Sequence, residues 1–474
     1  MDAPVRAGSR LAALAQSSCA WCERWFPDAY VFAVVAVMVV VIAALLLGAP
    51  PTQVAASFGD GYWSLIPFTM QMTFIIIGGY VTADSSPVSK LIRRLGAVPR
   101  TGRSAVMLVA LFAMLVSLIH WGLALILASL LVREMAQRTD IRLDYRAAGA
   151  AACLGMGSVW ALGLSSSAAQ LQANAASMPP NMRAITGLIP FTETIFLWQS
   201  MLLAAVVIAV STWTAWRSAP DDAQARVARD LGVSLEARTV SAVRHTRPGE
   251  WLEHSPILNV LIVILMATWL IQQVAAKGLL VAISNLNTYN LVFLMLGLLL
   301  HWTPRRFIDS VMRSVPNVAS VLIQFPFMGA IAAILTGAAN SGGTTLAAVL
   351  SNAFTHVANH DTFAWFIGIY SAVLGLFIPS GGGKWVIEAP YVMQAASNLH
   401  YNLGWTVQIY NAAEALPNLI NPFWMLPVLG VLGLKARDLI GYSFIQFLVN
   451  APLVLLLLWI LGSTLPYHPA TPIP

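Results

Sequence analysis

Residues 363–399 read FAWFIGIYSAVLGLFIPSGGGKWVIEAPYVMQAASNL. One membrane-crossing helix needs roughly 20 apolar residues, and this stretch is far longer. Pro379-Ser380-Gly381-Gly382-Gly383-Lys384 cuts it near its middle. The preceding segment, 338–362, carries no Lys or Arg, which places it away from the cytoplasm. The stretch therefore reads as a hairpin that enters a bilayer from outside and turns back at the glycines.

The rest of the chain agrees with a membrane setting. Of 474 residues, 58% are hydrophobic and 10% charged, and mean hydropathy is +0.73. Soluble domains run near about 45–50% apolar and about 25% charged, so there is too little polar surface here for a large soluble fold. Tyr30 to Leu47 reads as a first spanning helix that is retained, because Gly48-Ala49-Pro50-Pro51 and further spans follow it. Leu11 to Phe26 mixes apolar residues with Arg10, Glu23 and Arg24, and reads as an amphipathic helix on the membrane surface. Cys19-Ala20-Trp21-Cys22 has no second Cys or His pair beside it, so it reads as two reduced thiols and not as a metal or redox site.

The net charge of +6 points to topology and not to nucleic acid. All but Arg183, Lys277 and Lys384 of the 26 basic residues fall in segments that can share one side. That bias puts the N-terminus in the cytoplasm and the C-terminus outside. Spans are expected at about 28–48, 64–82, 147–176, 190–216, 256–275, 286–302, 307–337, 401–430 and 438–462. The apolar stretch 104–132 has Arg103 before it and Arg133 after it. Both its ends belong in the cytoplasm, so it reads as a second re-entrant hairpin, bent at His120-Trp121-Gly122.

The fold class expected is all-α, with about nine spanning helices, two re-entrant hairpins, and scaffold and transport domains. Residues 1–27 form an amphipathic N-terminus, 28–216 a first repeat, 217–285 a cytoplasmic linker with a connecting span, and 286–474 a second repeat. The two repeats run in opposite directions. Paired Gly/Pro-interrupted segments in corresponding halves point to a solute site near mid-membrane, because non-helical backbone is tolerated there only when buried in protein or lining a wet cavity. Span 147–176 is interrupted at Gly155-Met156-Gly157 and Gly163-Leu164-Ser165-Ser166-Ser167. In span 401–430, Pro417 and Pro422 remove backbone donors and force a break within Asn411 to Pro422.

On these residues the chain resembles the bacterial short-chain fatty acid transporters of the AtoE type. Ile378-Pro379-Ser380-Gly381-Gly382-Gly383-Lys384-Trp385 and Asn411 to Trp424 carry most of the match, with Trp63 to Tyr80, His120-Trp121-Gly122 and Leu162 to Ser167 adding to it. The resemblance covers nearly the whole chain. It implies a dimerising scaffold, a moving domain built from the hairpins and broken helices, and uptake of acetoacetate, butyrate or similar acids across the bacterial cytoplasmic membrane. The wider superfamily of dicarboxylate and citrate carriers often binds Na⁺ through Ser-Asn-Thr hairpin motifs. Here Pro379-Ser380-Gly381 stands in place of that triplet.

The candidate residues follow. Ser380, Gly381, Gly382 and Gly383 open the second arm of the hairpin, where unpaired N–H groups attract a carboxylate; a simple tight bend is the bland alternative. Lys384 is a basic residue inside an intramembrane segment, where charge is costly and usually functional. It suits a substrate carboxylate, and it equally suits a pair with Glu388 one turn on. Glu414, in the broken helix, suits coupling to H⁺ or Na⁺, or capping of a helix fragment; Glu388, Asn421 and His120 are grouped with it as coupling residues. Asn411, Asn418 and Asn421, with Ser165, Ser166 and Ser167, are placed around the same cavity, although Ser in membrane helices often serves packing. His120 is a proton relay or a hydrogen-bonded hairpin tip. No cofactor or resident metal is expected; His356 and His360 lack a convincing third ligand. A channel would want a continuous polar pore, and an enzyme a nucleophile beside a base. Neither pattern is present, while another small organic anion, such as a dicarboxylate, stays open as the substrate.

Overall fold

The computed structural model describes residues 10–25, 29–64, 66–173, 185–235, 247, 249–279, 282, 285–355, 357–378 and 381–468. Helix dominates them. The first part of the chain forms α1 (Arg10–Trp25), α2 (Ala29–Leu46), α3 (Pro51–Ser64), α4 (Ile66–Asp84) and α5 (Ser86–Gly96). Pro51 opens α3 at the first helical position, where its missing N–H costs nothing. Next come α6 (Gly102–Ile119) and α7 (Trp121–Ala136), which pack against each other as a hairpin. α8 (Tyr145–Ala152) runs into a π turn (Gly155–Val159), a 3₁₀ turn (Trp160–Leu162) and α9 (Ser167–Gln172), and α10 (Trp198–Ser218) follows.

The second part begins with α11 (Glu250–His254) and α12 (Ile257–Lys277) and continues with α13 (Leu286–His301), α14 (Pro304–Ser314), α15 (Ala319–Gly337) and α16 (Leu346–Thr355). α17 (Phe363–Phe377) and α18 (Gly381–Asn398) flank the Gly-rich interruption. α19 (Leu403–Ala415), a 3₁₀ turn (Leu416–Leu419), α20 (Pro422–Leu432) and α21 (Ala436–Gly462) complete it.

Five described helical runs are long and apolar enough to cross a bilayer: Pro51–Thr82, α6, α10, α12 and α21. Tyr145–Gln172 and Leu403–Leu432 add two more if each bent pair is one crossing. The chain is a multi-pass helical membrane protein. α2, α3, α4, α13 and α15 pack together, and α6 to α10 pack with α17 to α21; α4 also packs on α7, and α15 on α20. α12 touches chiefly α13 and leaves Leu261, Ile264, Leu265 and Ile271 exposed, as a lipid-facing helix does.

Several elements differ from the sequence expectation. α1, expected on the membrane surface, packs along α21 and α10, with Ala12 and Ala15 buried. The span expected at 64–82 is the second half of a 32-residue apolar run that starts at Pro51. The span expected at 307–337 is broken: α14 is strongly amphipathic and a 3₁₀ turn containing Pro316 separates it from α15. Arg313 and Ser310 of α14 both bond Asp84 at the end of α4, which anchors α14 to that helix end. Part of the polar linker is docked. Arg103 pairs with Asp221 at 3.0 Å and donates to Ala219 O, and Tyr145 N donates to Arg226 O.

Candidate functional site

The two interrupted helices bend where the sequence removes backbone donors or side-chain bulk. Tyr145–Ala152 and Gly155–Gln172 meet at 40°, and Leu403–Leu419 and Pro422–Leu432 at 54°. The breaks face each other, since the π turn packs on the 416–419 turn and α9 packs on α18. Asn418 Nδ2 donates to Met156 O of the π turn at 3.2 Å. Asn421 caps α20 through Phe423 N and donates to Leu376 O at 3.2 Å, so the second break is tied to α17.

The first hairpin is tied in by Ser165. Its hydroxyl accepts from Trp121 N at 2.9 Å and donates to Ser117 O at 2.7 Å. The bend at His120 strands backbone groups like these, and a buried stranded group is costly. Both hydrogen bonds of Ser165 thus serve the bend. His120 closes the same bend: it ends α6, and its Nδ1 accepts from Leu123 N at 3.1 Å to cap α7. Its ring stacks on Tyr289 with centroids 3.4 Å apart. His120 is thus a hydrogen-bonded hairpin tip.

Ser166 and Asn411 are also engaged. Ser166 caps α9 through Ala169 N and donates to Asn411 Oδ1 at 3.0 Å. Asn411 donates to Gln408 Oε1, and Gln408 to Ser200 Oγ, at 2.8 and 2.9 Å. This buried chain holds α9, α19 and α10 together. Asn418 differs, because its Oδ1 is buried with no hydrogen-bond partner.

Around the glycines the site divides into an open part and a sealed part. Gly382 is half-buried and Gly383 exposed at the start of α18, and Ser167 is half-buried beside them. A Cβ on Gly382 would lie 3.4 Å from Ser167 Cβ. Gly381 faces inward: a Cβ there would lie 2.3 Å from the Trp160 ring, and its carbonyl accepts from Tyr410 OH at 2.6 Å. Ser380 lies outside the described residues.

Lys384 is buried. Its side chain and those of Glu388 and Glu414 are 0%, 0% and 1% exposed. Lys384 Nζ lies 3.0 Å from Glu388 Oε2, 2.8 Å from Glu414 Oε2 and 2.9 Å from Ser371 O. The Tyr410 ring centroid is 4.3 Å away. Ser371 Oγ donates to Glu388 Oε1. Gly375 of α17 makes room, since a Cβ there would stand 3.0 Å from Glu414 Oε2. The Lys384–Glu388 pair is the bland alternative realised, with Glu414 as a third member. Glu193 is exposed in a 3₁₀ turn, far in sequence from these groups. Among the described residues no group of three or more His, Cys, Asp or Glu could hold a metal ion.

Sequence reading missed Ser371, Tyr410, Trp160 and Gln408. Tyr410 had a signal, lying one helical turn before Glu414 on the same face. The others join the site through contacts between helices distant in sequence.

An all-helical, multi-pass protein with helices broken against one another inside the bundle is built as a membrane carrier. The sequence pattern of the short chain fatty acid transporter family matches residues 10–461, and the chain belongs to that family. An *Escherichia coli* K12 protein provisionally named a short-chain fatty acid transporter is 32% identical over 447 residues, covering 94% of this chain and 97% of its own. A *Haemophilus influenzae* protein with the same provisional name is 26% identical over 445 residues, covering 93% and 97%. Among solved structures, MtrF of *Neisseria gonorrhoeae*, described within a class of antimetabolite efflux pumps, aligns over 95% of this chain and 97% of its own at 12% identity, with a TM-score of 0.43. The YdaH transporter of *Alcanivorax borkumensis* aligns over 94% and 100% at 16% identity, with a TM-score of 0.41. Both scores are too low to carry an argument about this chain.

Proposed function

We propose that this protein carries short-chain fatty acids, such as acetoacetate or butyrate, across the bacterial cytoplasmic membrane by cation-coupled secondary transport. The observation that carries the reading is the opening at the start of α18. Gly382 lies there, next to Ser167 of the opposing broken helix. The N-terminal turn of a long helix favours a carboxylate, and the missing side chains let one approach. A single buried ammonium nearby suits a monocarboxylate better than a dicarboxylate.

The wider architecture is part of the same proposal. The α6–α7 hairpin has basic residues at both ends, Arg103 and Arg133, which favours its return to the cytoplasmic side. The α17–α18 pair is its counterpart from outside, in an inverted repeat with the N-terminus in the cytoplasm. Alternating access then moves the hairpin-bearing group, α6 to α10 with α17 to α21, against the group built on α2 to α4, α13 and α15. A homodimer held through the second group accords with the family resemblance. Coupling is assigned to the buried groups near the opening, with Glu414 and Glu388 foremost; Asn421 and His120, both engaged in capping, serve the geometry.

Purified protein in liposomes tests the reading. Labelled butyrate outside should exchange with unlabelled butyrate inside, saturably and faster than in protein-free liposomes. Gly382→Val, which fills the opening without touching the sealed triad, should cut exchange at least about tenfold, as misplacing a bound group does. Unsaturable flux, or full activity in Gly382→Val, would move the site elsewhere.

A further inference from the structure

We propose that Glu414 and the substrate carboxylate compete for Lys384, so that one proton travels with each carboxylate and transport is electroneutral. The inference rests on the carrier reading above. It starts from a count of donors. An ammonium has three N–H groups; Lys384 Nζ donates to Ser371 O and Glu388 Oε2, and Glu414 Oε2 stands 2.8 Å away as an ion pair. No side of the ammonium is left open to a substrate. An anion reaches this cation only by displacing an acceptor.

The three acceptors are not equivalent. Ser371 O is backbone. Glu388 is held at both oxygens, by Lys384 and by the Ser371 hydroxyl, and it lies one turn from Lys384 on the same helix. Glu414 comes from another helix, α19, and its Oε2 contacts Lys384 as an ion pair without a well-directed hydrogen bond. Glu414 is the acceptor that gives way. A carboxylate left alone in a dry interior is costly, so it leaves Lys384 only by taking a proton on that oxygen.

Charge then balances. With Glu414 ionised and no substrate, the triad holds one positive and two negative groups. With Glu414 protonated and the substrate carboxylate on Lys384, it again holds one positive and two negative groups. Empty and loaded forms carry equal charge through the membrane, and the start of α18 offsets part of the excess negative charge in both. The bond made is O–H on Glu414, from a proton of the loading side; the same bond breaks on release. Among the described residues the other titratable groups around the triad are the phenols of Tyr370 of α17 and Tyr410 of α19. α9 and α16, which also pack on α18, contribute no ionisable residue.

The test uses the full-length protein in liposomes, labelled acetoacetate and a trapped pH dye, with protein-free liposomes subtracted for leak of the neutral acid. An inward proton gradient of about one pH unit should drive accumulation of about tenfold. A potassium diffusion potential of either sign should change nothing, and the dye should report one proton per acetoacetate. Glu414→Gln, which cannot hold Lys384 as an anion, should lose the response to the proton gradient, and any acetoacetate flux it keeps should follow the potassium diffusion potential. Accumulation that follows the potential, or a sodium gradient at fixed pH, overturns the proposal. So does a retained proton response in Glu414→Gln. If that variant fails to reach the membrane, the wild-type proton count decides alone. Absence of exchange in the wild type would sink the carrier reading and this inference with it; net uptake without proton movement would sink only the inference.

Discussion

Gly381 shows how tightly single residues are specified here. Its Cα position faces the Trp160 ring, and its carbonyl takes the Tyr410 hydroxyl. Ala at this position drives a methyl into an aromatic face fixed inside the bundle, and such overpacking costs about 1–3 kcal/mol. Gly381→Ala should therefore lower the thermal midpoint of the purified protein, and the companion change Trp160→Phe should restore part of it. Equal midpoints for wild type and Gly381→Ala would show that the ring yields freely. The buried triad carries a larger penalty. Removing one partner of a buried ion cluster costs about 3–5 kcal/mol, because an uncompensated charge stays behind. Lys384→Met should destabilise the protein strongly, and adding Glu388→Gln and Glu414→Gln should recover stability without recovering transport.

At the scale of elements, the bends are held by side chains from elsewhere in the chain. Ser165 answers Trp121 N and Ser117 O at the α6–α7 bend. Asn421 answers Phe423 N at the α19–α20 break and reaches Leu376 O of α17. Arg133 and Tyr145 bond Val431 O and Leu432 O, carbonyls that the end of α20 leaves open. Ser165→Ala leaves a buried donor and acceptor unpaired, at about 1–3 kcal/mol each. The expected result is a lower thermal midpoint and a lower transport rate with little change in apparent substrate affinity. A large loss of affinity with unchanged stability would instead put Ser165 in the binding site.

At the scale of the molecule, the proposal depends on which faces the hairpin ends share. In a background with Cys19, Cys22 and Cys153 replaced, single cysteines at Arg100 and Gln137 should react with an impermeant reagent only from the cytoplasmic side. Single cysteines at Asn359 and Asn402 should react only from the outside. Labelling of Arg100 and Gln137 from opposite sides would make α6 and α7 a crossing with a return loop, and the inverted repeat would fail.

The sequence alone determined the membrane setting, the helical class and the breaks within 147–176 and 401–430. Those follow from apolar run length, from prolines and glycines, and from the side on which basic residues cluster, all of which are local or compositional. The i,i+4 pair of Lys384 and Glu388 was legible for the same reason. Only the tertiary structure decided what each polar group does. Glu414 joins Lys384 from another helix, Ser165 is consumed by a hairpin bend more than forty residues earlier, and α1 leaves the expected surface position for α21. Nothing in local sequence separates a serine that mends a bend from one that meets a solute, because both need the same hydroxyl. What separates them is the partner across the bundle, and that partner is set by packing between elements far apart in the chain.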